Sequence, residues 1–115
     1  MGDDVFCKII SGTKPEDFVY RDERVAVIRD IKPAAPVHLL VMPVEHFNSI
    51  GEFTEGNEEL VGHMVRVAHQ VAQKEGLQNG YRLIINEGED GGKMVPHFHI
   101  HVLGGGPLGH KLGTE

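Results

Sequence analysis

Apolar residues recur along the chain with two different periods, and each change of period marks a new element. Val5, Phe6, Ile9 and Ile10 fall at helical spacing, with Asp4 placed to cap them and Gly12 to end the turn in a left-handed conformation. Phe18 to Tyr20 and Arg24 to Asp30 read as two strands around the charged turn Asp22-Glu23. In the second of these, Val25, Val27 and Arg29 share one side while Ala26, Ile28 and Asp30 share the other. After Pro33 and Pro36, the nearly continuous apolar run Val37 to Met42 has strand length and stops at Pro43. Leu60, Met64, Val67, Ala68, Val71 and Ala72 trace one stripe of a long helix, capped by Thr54 or Asn57 and terminated by Gly76. Tyr81 to Asn86 and Val95 to Leu103 then read as an antiparallel hairpin across the loop Glu87 to Met94.

That order predicts an α+β fold, an antiparallel five-stranded sheet with one long helix on a face and one short N-terminal helix. At 115 residues the chain fits a single domain, 1–115, able to bury about two-thirds of its unfolded surface. A two-domain dinucleotide enzyme or a barrel needs more chain. The tail from Gly104 to Glu115 has no periodicity and is expected to be loose unless a partner chain holds it. No segment approaches the roughly 20 apolar residues of a bilayer crossing, and a net charge of −6 repels nucleic acid and anionic membranes. Any phosphate bound here must meet local donors. The single cysteine, Cys7, cannot close an internal disulfide, and Met1-Gly2-Asp3-Asp4 lacks the basic flank and apolar run of a secretion signal, so the expected location is the cytoplasm.

Eight histidines are many for this length, and three of them stand at strict alternation in His97-Phe98-His99-Ile100-His101. On a strand the imidazoles face one side, and Phe98, Ile100 and Val102 face the core. Three readings compete. A solvated, histidine-rich face is the plainest. A catalytic metal on the triplet is limited by geometry: at about 3.3 Å per residue the outer rings stand about 13 Å apart, whereas each ligand nitrogen must lie about 2.1 Å from the ion. The third is phosphorus chemistry. A neutral imidazole is a nucleophile near pH 7, its phosphorylated form is open to attack by water, and flanking rings can bind phosphoryl oxygens or protonate a leaving group.

The triplet, followed by two apolar residues, resembles the signature of the histidine triad family. The resemblance spans nearly the whole chain through Phe6-Cys7-Lys8-Ile9-Ile10, Asp30-Ile31-x-Pro33-x-Ala35-Pro36-x-His38, Pro43-x-x-His46, Gly80-Tyr81-Arg82, Asn86-Glu87-Gly88, Gly91-Gly92 and Leu103-Gly104-Gly105. It points to the Hint branch, whose members look like purine nucleoside phosphoramidases. The glutamine-containing stretch usual before the triad of dinucleoside polyphosphate hydrolases is not found.

What the resemblance implies is specific. His99 is the nucleophile that takes the nucleoside phosphate, His101 contacts the phosphate and assists the departing amine, and His97 lies deeper and interacts with His38. Asp30 accepts the ribose hydroxyls, beside Ile31; Asn86 reaches ribose or phosphate; Phe6, Ile9 and Ile28 sandwich the base, though each reads equally as core. Gly91-Gly92-Lys93 is able to present backbone N–H groups to phosphate. The partners implied are a purine nucleotide substrate and a second copy, the two sheets joined edge to edge, with no cofactor. Met94 stands where eukaryotic members place a serine that contacts the leaving group, Pro96 replaces a bulky residue, and the tail lacks a tryptophan that some members insert into the neighbouring site.

Some family members carry zinc on Cys-x-x-Cys plus two histidines. Here Asp4, Cys7, His46 and His97 occupy those positions, and the preferred reading is no metal, with Cys7 a small buried hydrophobe. Gly104-x-Gly106-x-x-Gly109 is a glycine-rich turn, because Pro107 interrupts it and no strand-helix unit follows. The competing functions are a nucleotide-binding interaction module with vestigial chemistry, which Met94 favours, and a dinucleoside polyphosphate hydrolase.

Overall fold

Residues 4–110 and 112 are described by a computed structural model; Lys111 and residues 113–115 of the tail lie outside the described residues. Helix α1 (Val5–Ser11) starts where Asp4 Oδ1 accepts the Cys7 N–H at 2.8 Å and ends at Gly12, whose φ of 85° a side chain would strain. Five strands follow, β1 (Tyr20–Arg21), β2 (Val25–Arg29), β3 (Val37–Pro43), β4 (Tyr81–Ile84) and β5 (Ile100–Gly104). All neighbours are antiparallel, in the order β1-β2-β3-β5-β4. Helix α2 (Glu58–Lys74) enters from two single 3₁₀ turns, Ile50–Glu52 and Glu55–Asn57. Among the described residues no helix is long and apolar enough to cross a membrane.

Both faces of the central strands are buried. Val25, Val27, Leu39, Val41, Ile100 and Val102 pack against the α2 stripe Met64, Val67, Ala68, Val71 and Ala72, as the 3.6-residue spacing requires. Each large member of that stripe contributes about 1.5–3 kcal/mol by leaving water. The opposite face carries Ala26, Ile28, Leu40 and Met42, and α1 covers these with Phe6 and Ile9. The expectation of a helix on one face is thus extended: α1 closes a second, smaller core. This explains why β2 and β3 read as continuous apolar runs rather than alternating ones.

Several predicted strands are shorter than expected. The last one begins at Ile100, not Val95, so His97 and His99 precede it and only His101 lies on the ladder. Pro96 has no N–H to offer, the His97 N–H turns back to the Val95 carbonyl at 2.8 Å, and the Phe98 N–H bonds the Phe47 carbonyl at 2.6 Å. Alternation nevertheless survives in this extended stretch, with Phe98 and Ile100 in the large core. Likewise β1 is Tyr20–Arg21 rather than Phe18 to Tyr20, β2 stops before Asp30 and β4 stops before Asn86. The last two corrections free both side chains from the ladder and put them at strand ends.

Candidate active site

Strand register assembles the site on the α1 side of the sheet, beyond the edge of that helix. Leu40, in the α1 core, lies opposite His101, and His101 lies opposite Ile84, while His38 lies opposite Leu103, which lies opposite Arg82. Side chains of paired residues share a face.

Hydrogen-bond partners then assign the ring protons. His99 Nδ1 stands 2.7 Å from the His97 carbonyl oxygen, which only accepts, so Nδ1 carries the proton and Nε2 the free lone pair. The Ala34 N–H donates to His38 Nδ1 at 3.0 Å, which leaves the His38 proton on Nε2, 2.8 Å from His101 Nδ1. His101 Nε2–H is the outward end of that chain. Asp30 Oδ2 lies 3.4 Å from His38 Nε2, and Oδ1 accepts the Lys32 N–H at 2.8 Å. The expected contact of His97 with His38 is not formed. His101 takes that place, and His97 turns away to bond the Pro43 carbonyl through Nε2 at 3.0 Å.

Burial holds all four rings below the usual histidine range. It is the largest cause at His38, opposed by Asp30; at His97, opposed by the Pro43 carbonyl; and at His99, where the charges of Lys93 and His97 add to it. His101 is pushed down to about 4, by burial first and then by His99 and His38. The cluster is uncharged at neutral pH, which leaves His99 Nε2 with its lone pair available.

The other predicted residues divide. Phe6 stacks edge-on against His99, ring centroids 5.1 Å apart, and against His97 at 5.8 Å. Phe6, Ile9 and Ile28 form one buried cluster, whereas Ile31 is 80% exposed and Met94 90% exposed. Asn86 Nδ2 donates to the Gly91 carbonyl at 2.7 Å, tying the loop to the end of β4. The backbone N–H groups of Gly92 and Lys93 do not face a phosphate; they bond Glu89 at 3.0 Å and Gly88 at 3.1 Å, closing the loop on itself. Lys93 instead acts on the site through its charge.

A family model described as "Scavenger mRNA decapping enzyme C-term binding" matches residues 3–111. The purine nucleoside phosphoramidase of Escherichia coli K12 is 41% identical over 112 residues, covering 96% of this chain and 94% of that protein. A HIT family hydrolase from Clostridium thermocellum superposes with a TM-score of 0.93 at 43% identity, covering 97% of this chain and 98% of that one. One from Legionella pneumophila gives 0.92 at 38% identity, covering 96% and 100%. The chain belongs to the histidine triad family. Its five-stranded antiparallel sheet, long helix and short N-terminal helix are the fold of those hydrolases.

Within this histidine triad chain, Cys7 is not the apolar residue expected of it. Its thiol is half-buried, 3.2 Å from His46 Nδ1, 3.5 Å from His97 Nδ1 and 3.4 Å from Asp4 Oδ2. His46 Nε2 donates to Asn48 Oδ1 at 2.8 Å and His97 Nε2 to Pro43, so both Nδ1 lone pairs point at the thiol and the carboxylate. Carboxylate, thiol and two neutral imidazoles, with ligand atoms within 4.8 Å of one another, fit a four-coordinate ion of the zinc type. Bound there, an ion would staple α1 to the His46 loop and to His97 and take no part in the phosphoryl step.

Beyond His101 the face opens into a cavity of ≈ 470 Å³. Its walls include the predicted His38, Asn86 and His101, and Arg82 and Leu103 gave a signal through the Gly80-Tyr81-Arg82 and Leu103-Gly104-Gly105 motifs; Ile84 and Leu108 were not legible as site residues, because in sequence they read as strand and tail.

Proposed function

We propose that the chain is a hydrolase cleaving the P–N bond of purine nucleoside 5'-phosphoramidates through a nucleotidyl-histidine intermediate. The carrying observation is the 2.7 Å bond from His99 Nδ1 to the His97 carbonyl, which keeps the ring proton on Nδ1 and leaves the Nε2 lone pair free to attack. Nε2 attacks phosphorus, a P–Nε2 bond forms, and the bond to the amine nitrogen breaks in line. The His38–His101 pair titrates as a unit, and the anionic phosphoryl group of a bound substrate opposes the shift that keeps it neutral. With that anion bound the pair takes up one proton from solvent, and it gives this extra proton through His101 Nε2 to the departing amine, returning to the neutral form. It recovers that proton from the water that then attacks phosphorus, breaks the P–Nε2 bond and releases the nucleoside monophosphate. Two in-line displacements retain configuration at phosphorus.

Lys93 stabilises the developing charge, Asp30 takes the ribose hydroxyls, Phe6, Ile9, Ile28 and Ile31 flank the base, and Asn86, Gly92 and Met94 border the phosphate. The unit is one domain that pairs as a homodimer through a sheet edge, with β4 ending the sheet on the side of the site. Adenosine 5'-phosphoramidate incubated with the protein and with His99→Ala tests the reading. Turnover is expected only with histidine present, and equal turnover by both overturns it. Met94, without a hydroxyl and exposed to solvent, favours the second reading of a binding module. Calorimetric binding of AMP with no turnover on any phosphoramidate would establish that one instead.

A further inference from the structure

The carboxylate of Asp30 reaches the histidine pair. Its backbone N–H donates to the His38 carbonyl at 2.9 Å, carrying the β2–β3 pairing one step past Arg29 and Leu39. Oδ1 accepts the Lys32 N–H at 2.8 Å, and this local turn leaves Oδ2 3.4 Å from His38 Nε2. The same His38 N–H meets His101 Nδ1 at 2.8 Å, so one ring proton lies between a carboxylate and the ring that serves the leaving amine. The His38 side chain is 6% exposed and that of Asp30 21%, so water screens the contact weakly.

The charges around the pair give this contact its meaning. Burial disfavours a cation on His38 and on His101, and at both rings Asp30 is the group that opposes it. His99 and His38 push His101 further toward the neutral form. Lys93 acts on His99, and Arg82 of β4 borders the cavity together with both rings of the pair. Against these, a pair that carries an extra proton while the amine departs needs a counter-charge. Ribose hydroxyls are uncharged donors, so a carboxylate that binds them keeps its charge for the pair.

Resting on the phosphoramidase reading, we propose that Asp30 serves the leaving group as well as the ribose: its charge beside His38 holds the extra proton on the His38–His101 pair until His101 passes it to the amine. Asp30 itself stays ionised throughout and acts on the amine only through the pair. A carboxylate confined to ribose binding would help every leaving group alike. One that supports the acid matters only where the leaving group needs a proton, as an amine does and p-nitrophenolate does not.

Single-turnover rates, with the protein in saturating excess, are to be compared for the AMP amide and the AMP p-nitrophenyl ester, each in the ribose and the 2',3'-dideoxyribose form. Asp30→Asn removes the charge and keeps an oxygen for the Lys32 N–H. On the ribose substrates it should slow the amide at least about tenfold beyond any loss on the ester, since a neighbouring opposite charge shifts a proton equilibrium by about that factor or more. On the dideoxy substrates, which offer no hydroxyls, the loss on the ester should disappear and the loss on the amide should remain. Equal losses on amide and ester, or an amide loss that vanishes with the hydroxyls, overturn the proposal and leave the phosphoramidase reading intact. A wild-type chain that turns over neither amide removes the reaction itself and this role with it.

Discussion

His38 Nε2 stands 2.8 Å from His101 Nδ1, and the Ala34 N–H bonded to the far nitrogen of His38 decides that the proton between the rings belongs to His38. His101 is thereby left with its proton on Nε2, and in the proposed mechanism His38 acts only through His101. His38→Ala should therefore lower kcat for adenosine phosphoramidate by about 10–100-fold, the cost typical of losing a ring's orienting partner, with a smaller change in KM. His38→Asn keeps a short donor and should recover part of the loss. A KM effect without a kcat effect would place His38 in substrate binding instead.

Depressed histidine pKa values make a statement about pH. His38, His97, His99 and His101 bind protons more readily unfolded than folded, so their stabilisation is fully present above about 6.5 and is lost as pH falls toward their folded values, about 4 for His101. Thermal unfolding between pH 7 and 4.5 should show stability falling by up to about 1.4 kcal/mol per pH unit for each ring that titrates. The acid limb of kcat/KM should likewise lie below the ordinary histidine pKa of about 6.5. A limb at 7 or above would mean that the nucleophile is not a buried neutral imidazole.

Gly91 has no room for a side chain. A Cβ there would run into the Glu87 carbonyl, and the Gly91 carbonyl is the one that Asn86 holds at 2.7 Å. Gly91→Ala should displace the loop and release Asn86, raising KM for the nucleotide substrate about tenfold while the loop's distance from both cores limits the loss of stability to about 1–2 kcal/mol. Steady-state kinetics beside a denaturant melt separates the two effects.

The Asp4, Cys7, His46 and His97 set predicts a zinc-dependent gain in melting temperature. At free zinc a hundredfold above its Kd the gain corresponds to about 2.7 kcal/mol. Cys7→Ala should abolish it. His101→Ala should preserve it, since that ring belongs to the separate Asp30, His38 and His101 group. The reverse pattern would move the ion into the Asp30, His38 and His101 group.

Much of this site was readable before any coordinates, because it rests on side-chain chemistry at fixed spacing. The alternation from His97 to Val102 placed three rings opposite a core, and the stripe from Leu60 to Ala72 fixed α2. What escaped depends on the backbone. No pattern of residue types reveals that the His97 and Pro43 carbonyls and the Ala34 amide assign the ring protons, nor that His38 meets His101 rather than His97. The strand ends failed for the same reason, since Pro96 and the Phe98–Phe47 bond take His97 and His99 off a ladder that their alternation alone cannot distinguish from an extended loop. The cavity wall at Leu108 was invisible because it depends on the long-range bond from Arg82 to Gly109.

Covalent capture of the nucleotide by one ring is the claim on which the account stands. Rapid acid-free quenching of adenosine phosphoramidate turnover, followed by proteolysis and mass spectrometry, should find one nucleotidyl group on the peptide containing His97, His99 and His101, with fragmentation placing it on His99. A quenched sample that turns over normally yet carries no adduct, or carries it on another ring, contradicts the account.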